Sequence, residues 1–305
     1  MRIAFVETLE KLAEKNKDII LVSGDLGFSV LDNYIDKFPK QYLNAGVAEQ
    51  NMTGVAAGMA MEGKIPIIYS IVPFATMRNF EQIKNDICYQ NLNVKIIGVG
   101  SGFSYGPYGH THYSLEDVGI LRTLPGLTIF SPGDSIETEL VTKMALKMKG
   151  PVYIRLGKAD GTVHQKTIPF ATGKGIVVKE GSDIVIFTTG IILFTALEVS
   201  KILEKNYSVS IVSMPSIKPI DEKIIIEYSK KVKHVFSLEE HFMIGGLGSA
   251  ISEVLAENRV NCSFKRIGVP DKFSKKTGNQ NYMREQNGLL PNQIAAFIKR
   301  TIREQ

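Results

Sequence analysis

The chain has 305 residues, 44% of them hydrophobic and 22% charged, and a net charge of +5. That length and composition suit a two-domain globular protein that buries its core without disulfides, and the two cysteines, Cys88 and Cys262, fit a reduced, cytoplasmic setting. No nucleic-acid partner is expected, because the densest basic cluster, Tyr228–His234, is short and reads as a solvated helix face; no apolar run is long enough for a membrane span.

Residues 1–18 read as an amphipathic helix with Ile3, Phe5, Val6, Leu9 and Leu12 on its apolar side, too often interrupted by charge for a signal peptide. Short runs rich in Ile and Val follow at Asp18–Asp25, Ile65–Val72, Val94–Gly100, Leu127–Pro132 and Pro151–Gly157. Continuous apolar runs of this length suit strands covered on both faces, as in a parallel sheet. Helical segments lie between them, among them Met77–Asn91 and Ser135–Lys149, the second opened by a Pro-Gly-Asp turn with Asp134 as its cap. From Gly157 to Gly181 the pattern weakens into a linker that holds at most a short strand. A second alternating unit then runs through strands at Asp183–Gly190, Ser208–Pro219, His234–His241 and Cys262–Val269, with helices at Ile192–Asn206, Gly245–Asn258 and from Pro291 to the C-terminus. The expected architecture is therefore α/β, two doubly wound domains over residues 1–160 and 181–305 joined by a linker at 161–180.

Three loops after strands carry candidate chemistry. Asn44–Pro66 places Glu49 at the head of a segment of small and apolar residues, with Gly54 and Gly58 at helical spacing, which lets a helix approach another backbone closely, within the chain or between subunits. A carboxylate there can simply complement the helix dipole, or, desolvated, it can share or transfer a proton. The glycine- and aromatic-rich loop Gly100–Leu127 carries His110 and His112, two residues apart, which lack a convincing third metal ligand and suit proton transfer or substrate hydrogen bonding, or a structural role. Ser23–Ser29 is a turn bearing Asp25. Glu239–Gly248 has neither the Rossmann glycine spacing nor the lysine of a P-loop and reads as a tight strand-to-helix turn; no G-x-S-x-G elbow occurs.

Four segments in register, Asn44–Pro66, Arg78–Ile97, Tyr108–Asp134 and Glu239–Ala250, resemble the C-terminal half of transketolases, in particular the split type made of two chains. Deoxyxylulose-phosphate synthases and the beta subunits of 2-oxoacid dehydrogenases are near relatives of that family, and all use thiamine diphosphate. The resemblance implies a pyrimidine-binding domain followed by a transketolase C-terminal domain that does not bind the cofactor. It implies that Glu49 hydrogen-bonds a ring nitrogen of the cofactor's aminopyrimidine, that Phe74 packs on that ring, and that Asp25 reaches the cofactor. His112 matches the histidine that contacts substrate, His110 joins it as a substrate residue, and Lys158 stands where an arginine often takes the substrate phosphate.

The chain also departs from the family. The pattern Asp-Gly-x-Thr-His-Gln is replaced by Tyr108, Gly109, His110, Thr111, His112 and Tyr113, and a phosphate-contacting histidine corresponds to Gly100. Substrates other than the standard pentose phosphates are therefore expected. The Gly-Asp-Gly element that holds magnesium or calcium and the diphosphate is not in the sequence. The resemblance thus implies half a cofactor site, completed by a separate diphosphate-binding subunit in a heterotetramer of two plus two, which would transfer a two-carbon ketol unit from a ketose to an aldehyde. A thiamine-dependent 2-oxoacid decarboxylase or synthase subunit, or a non-catalytic assembly subunit, are the alternatives.

Overall fold

The structure is a computed structural model and describes residues 1–158, 161–165 and 168–304. The expected end of the first domain at Asp160 lies outside these residues, as does the last residue, Gln305.

Twelve strands form two sheets: β1 (Ile19–Ser23), β2 (Tyr42–Asn44), β3 (Ile65–Ile71), β4 (Lys95–Val99), β5 (Thr128–Phe130), β6 (Val152–Leu156), β7 (Ile176–Lys179), β8 (Ile184–Thr188), β9 (Val209–Ser213), β10 (Ser216–Lys218), β11 (His234–Phe242) and β12 (Ser263–Val269). The larger sheet has the order β10-β5-β6-β4-β3-β1-β2, parallel except for β10, and the smaller has the order β12-β11-β8-β9-β7, parallel except for β7. In the larger sheet β1 has β2 on one side and β3 on the other, the kind of reversal that opens a crevice beyond the carboxyl ends of the strands. The expected α/β alternation is present in both halves. The run Ser208–Pro219 is not one strand, however. It breaks around Pro215 into β9, inside the smaller sheet, and β10, which crosses over and pairs antiparallel with β5.

Local chemistry explains the helices that frame the crevice. The helix Arg2–Lys15 buries Phe5, Val6, Leu9 and Ala13, the face its apolar spacing defines. Asp134 accepts the Glu137 N–H at 2.8 Å and caps the helix Ser135–Lys147, as its sequence setting suggests. The helix Glu49–Met61 buries Met52, Thr53, Ala56 and Ala57 against the sheet. Its glycines lie on the opposite face: a Cβ added at Gly54 or Gly58 would meet nothing within 4 Å. With Val47, Asn51 and Met61 also exposed, the small-residue stripe is an outward surface of the single chain.

Candidate active site

Glu49 is the first residue of its helix and is only 2% exposed. Its carboxylate is not alone, as the sequence suggests, because Arg78 Nη1 donates to Oε2 at 2.8 Å. Arg78 follows Phe74 by four residues, and its guanidinium carbon lies 4.1 Å from the Phe74 ring centroid, a cation–π contact. The edge of Phe74 meets His112, centroids 5.2 Å apart, and His112 in turn neighbours Tyr108 at 5.3 Å. Thr111 Oγ1 pairs with His112 Nδ1 at 2.9 Å and fixes the ring. Tyr108 lies 6.1 Å from Tyr105, and Lys158 Nζ sits 4.6 Å above the Tyr105 ring. Partial burial and the nearby charge of Arg2 pull the Lys158 ammonium below its usual range. One continuous array therefore runs from Glu49 through Arg78, Phe74, His112, Tyr108 and Tyr105 to Lys158.

The other two candidates stand apart from that array. Asp25, in the left-handed region with φ 56°, exchanges hydrogen bonds with the Asn44 side chain: Asn44 Nδ2 donates to Oδ1 at 2.9 Å and the Asp25 N–H donates to Asn44 Oδ1 at 3.1 Å. This places it at the carboxyl ends of β1 and β2, on the strand that leads into the Glu49 helix. His110 turns the other way and meets Phe273 of the second half, centroids 6.2 Å apart. Two polar atoms beside the crevice have no hydrogen-bond partner among the described residues: Ser70 Oγ on β3, and Asn79 Oδ1, whose Nδ2 donates to Thr53 on the Glu49 helix at 2.7 Å. Among the described residues, no group of three or more His, Cys, Asp or Glu side chains is arranged to hold a metal ion.

Comparison with known proteins bears on what this arrangement is. Residues 1–162 match the family model "Transketolase, pyrimidine binding domain", and residues 173–294 match "Transketolase, C-terminal domain". The chain belongs to the transketolase family. It is 37% identical to the transketolase C-terminal section of Methanocaldococcus jannaschii, covering 100% of this chain and 97% of that protein. It is 35% identical to one of the two chains of the apulose-4-phosphate transketolase of Actinobacillus succinogenes, covering 93% of this chain and 92% of that one. A solved split-gene transketolase in an inactive beta4 tetramer superposes with a TM-score of 0.90 at 38% identity, covering 98% of this chain and 97% of that one. The chain is thus the C-terminal subunit of a split transketolase-like enzyme, whose other half is a separate chain.

Within that family, the departures at the loop acquire physical reasons. Gly100 has φ +81°, and a Cβ there would lie 1.9 Å from a Tyr105 ring carbon, so the Tyr105 ring takes the space a transketolase histidine would need. Tyr113, where the pattern has glutamine, is buried; its ring packs edge-on against Phe103 with centroids 5.2 Å apart, and burial pushes its hydroxyl pKa up. Tyr108, by contrast, is 65% exposed beside His112. Of the altered positions, Tyr108 lines the array, His110 faces the second domain and Tyr113 is core. Sequence reading missed Arg78 and Tyr105. For Arg78 a signal existed: spacing of four from Phe74 in a helical stretch puts both on one face.

Proposed function

We propose that this subunit supplies the proton-handling and substrate-facing half of a ketol-transferring site, with Glu49 and Phe74 receiving the aminopyrimidine of thiamine diphosphate. The observation that carries the reading is the placement of Arg78. A flat, N–H-donating cation already hydrogen-bonds Glu49 Oε2 and stacks on Phe74, so these two residues accept the shape and donors of an aminopyrimidine. Arg78 is 45% exposed and can leave for solvent when a ring takes its place.

When bound, thiamine diphosphate supplies the carbon nucleophile on which a two-carbon unit is carried. Glu49, buried at the head of its helix, holds or shares a proton at the pyrimidine ring nitrogen, general acid–base work that needs a titratable carboxyl at that distance. His112, fixed through Nδ1 by Thr111, keeps Nε2 for a substrate hydroxyl or carbonyl. Asp25 reaches the cofactor from the β1 side. Lys158 and His110 face the substrate's far end, and a phosphate there is taken by Lys158 as a point charge. Because Tyr105 and Tyr108 occupy positions that recognise standard sugar phosphates in the family, the substrate is a different ketose.

The partner subunit supplies the diphosphate site and its magnesium or calcium ion, in an assembly of two plus two. The outward stripe of Gly54, Gly58, Val47 and Met61 supports a contact between subunits next to Glu49. The test is to purify the subunit with its partner, add thiamine diphosphate and magnesium, and screen ketose donors with aldehyde acceptors. Donor cleavage is expected, and its absence across the screen would sink the reading. Lys158→Ala is expected to raise KM several-fold for a phosphorylated substrate and to leave that of its unphosphorylated analogue unchanged.

A further inference from the structure

The loop that carries His110 and His112 belongs to the first domain by sequence but is held by the second. Its neck is closed by a bridge between Gly102 and Ser114, where the Ser114 N–H donates to the Gly102 carbonyl at 3.1 Å. Both sides of that neck are fastened to the end of β11. On the incoming side, Glu240 Oε1 accepts the Phe103 N–H at 2.6 Å. On the outgoing side, the Phe242 N–H donates to the Leu115 carbonyl at 2.8 Å. Arg155 ties the two together, donating to the Ser114 carbonyl at 3.2 Å and to the Glu240 carbonyl at 3.1 Å. Burial alone would raise the Asp117 carboxyl, but Arg155 and His241, with hydrogen bonds from Arg155 and Tyr153, hold it below its ordinary range, so the Arg155–Asp117 anchor at 2.7 Å stays ionic.

The loop's own apolar residues complete the attachment. Phe103, Tyr113 and Leu115 sit in one cluster with Ile186, Leu238 and Met283 of the second domain. Each such buried side chain contributes roughly 1.5–3 kcal/mol. Along the tip, a Cβ on Gly106 would lie 2.5 Å from the Gly278 carbonyl, and His110 meets Phe273. The Glu240 carboxylate is the node of this grip. It is 2% exposed and accepts three donors: the Phe103 N–H, Gln280 Nε2 at 2.8 Å and Arg284 Nε. There is no space between it and the loop backbone, since a Cβ on Gly102 would lie 2.3 Å from Glu240 Oε1.

We propose that Glu240 is a positioning residue for the loop 102–114, so that the second domain sets which sugar the site accepts through the stance it gives His112 and Tyr108. The proposal rests on the ketol-transfer reading for its substrate but not for its geometry. Two arms separate the failures. In the full-length subunit, amide hydrogen exchange of the 102–114 segment is expected to speed up in Glu240→Gln and in Arg284→Ala, and that of the helix Glu49–Met61 to stay unchanged. In the reconstituted complex, the same variants are expected to raise KM for ketose and aldehyde on the order of tenfold. Thiamine diphosphate affinity and the exchange of its thiazolium proton, which report on Glu49, are expected to hold, and Arg284→Lys is expected to restore KM. Unchanged exchange in 102–114 overturns the proposal whether or not the wild-type complex is active. In an active complex, an unchanged KM, or equal losses in cofactor affinity and KM, overturns it too.

Discussion

Glu49 in the first domain and Glu239 and Glu240 in the second are three carboxylates with the same burial, 2% exposed each, yet they are differently engaged. Glu239 accepts the Leu247 and Gly248 N–H groups at 2.7 and 2.8 Å and so caps the helix Leu247–Glu257. Glu240 accepts a main-chain N–H, an amide and a guanidinium. Glu49 has one side-chain partner, Arg78, itself half in water. Burial does not separate a working carboxylate from a structural one; the number of fixed donors does. A buried acid whose lone pairs are filled by main chain is committed to the fold, whereas one held by a single removable cation can exchange it for a ligand.

The sharpest test of that contrast is Glu49→Ala. Turnover of the reconstituted complex is expected to fall on the order of 10²–10⁴-fold, with Tm within a few degrees of wild type, because Arg78 returns to solvent. A complex that keeps full turnover removes Glu49 as the proton partner. Glu240→Ala is expected to do the reverse. Stranding a buried guanidinium and two further donors costs on the order of 3–5 kcal/mol, read as a large drop in denaturation midpoint. Glu239→Ala comes next, at about 1–2 kcal/mol, since it strips the cap and a favourable charge from one helix. If Glu239→Ala instead cost activity without stability, counting donors would be the wrong criterion.

The same distinction explains what was legible in the sequence. The parallel strands could be read because each is a short Ile/Val run bounded by turns. The strand Tyr42–Asn44 could not, being three residues with no alternation to detect. Pro215 was a local sign that Ser208–Pro219 breaks, but nothing local says that Ser216–Lys218 joins the other sheet. Glu49 could be read by residue type only as an alternative to a helix-dipole role, and the matching motifs raised it further. Glu240 could not be read at all, since its main partner Phe103 is 137 residues away, and long-range hydrogen bonds leave no trace in periodicity.

Glu137 is an intermediate case, fully buried, with one oxygen on the Gly133 N–H at 2.6 Å and the other on a titratable group, His164 Nε2, at 3.0 Å. Burial alone would lower the His164 pKa, but the hydrogen bond to Glu137 and the charges of Glu137 and Asp134 outweigh it, and the folded value lies above the ordinary one. A raised folded pKa means the native state holds the proton more tightly. The stabilisation is therefore complete below the unfolded value of about 6.5 and is lost as pH rises through the folded value. Urea unfolding of wild type and His164→Ala is expected to show the larger stability difference at pH 6 and the smaller at pH 9, the least of the effects considered. A difference that stays constant across that range would mean that His164 is neutral in the fold and that Glu137, like Glu239, is satisfied by hydrogen bonds alone.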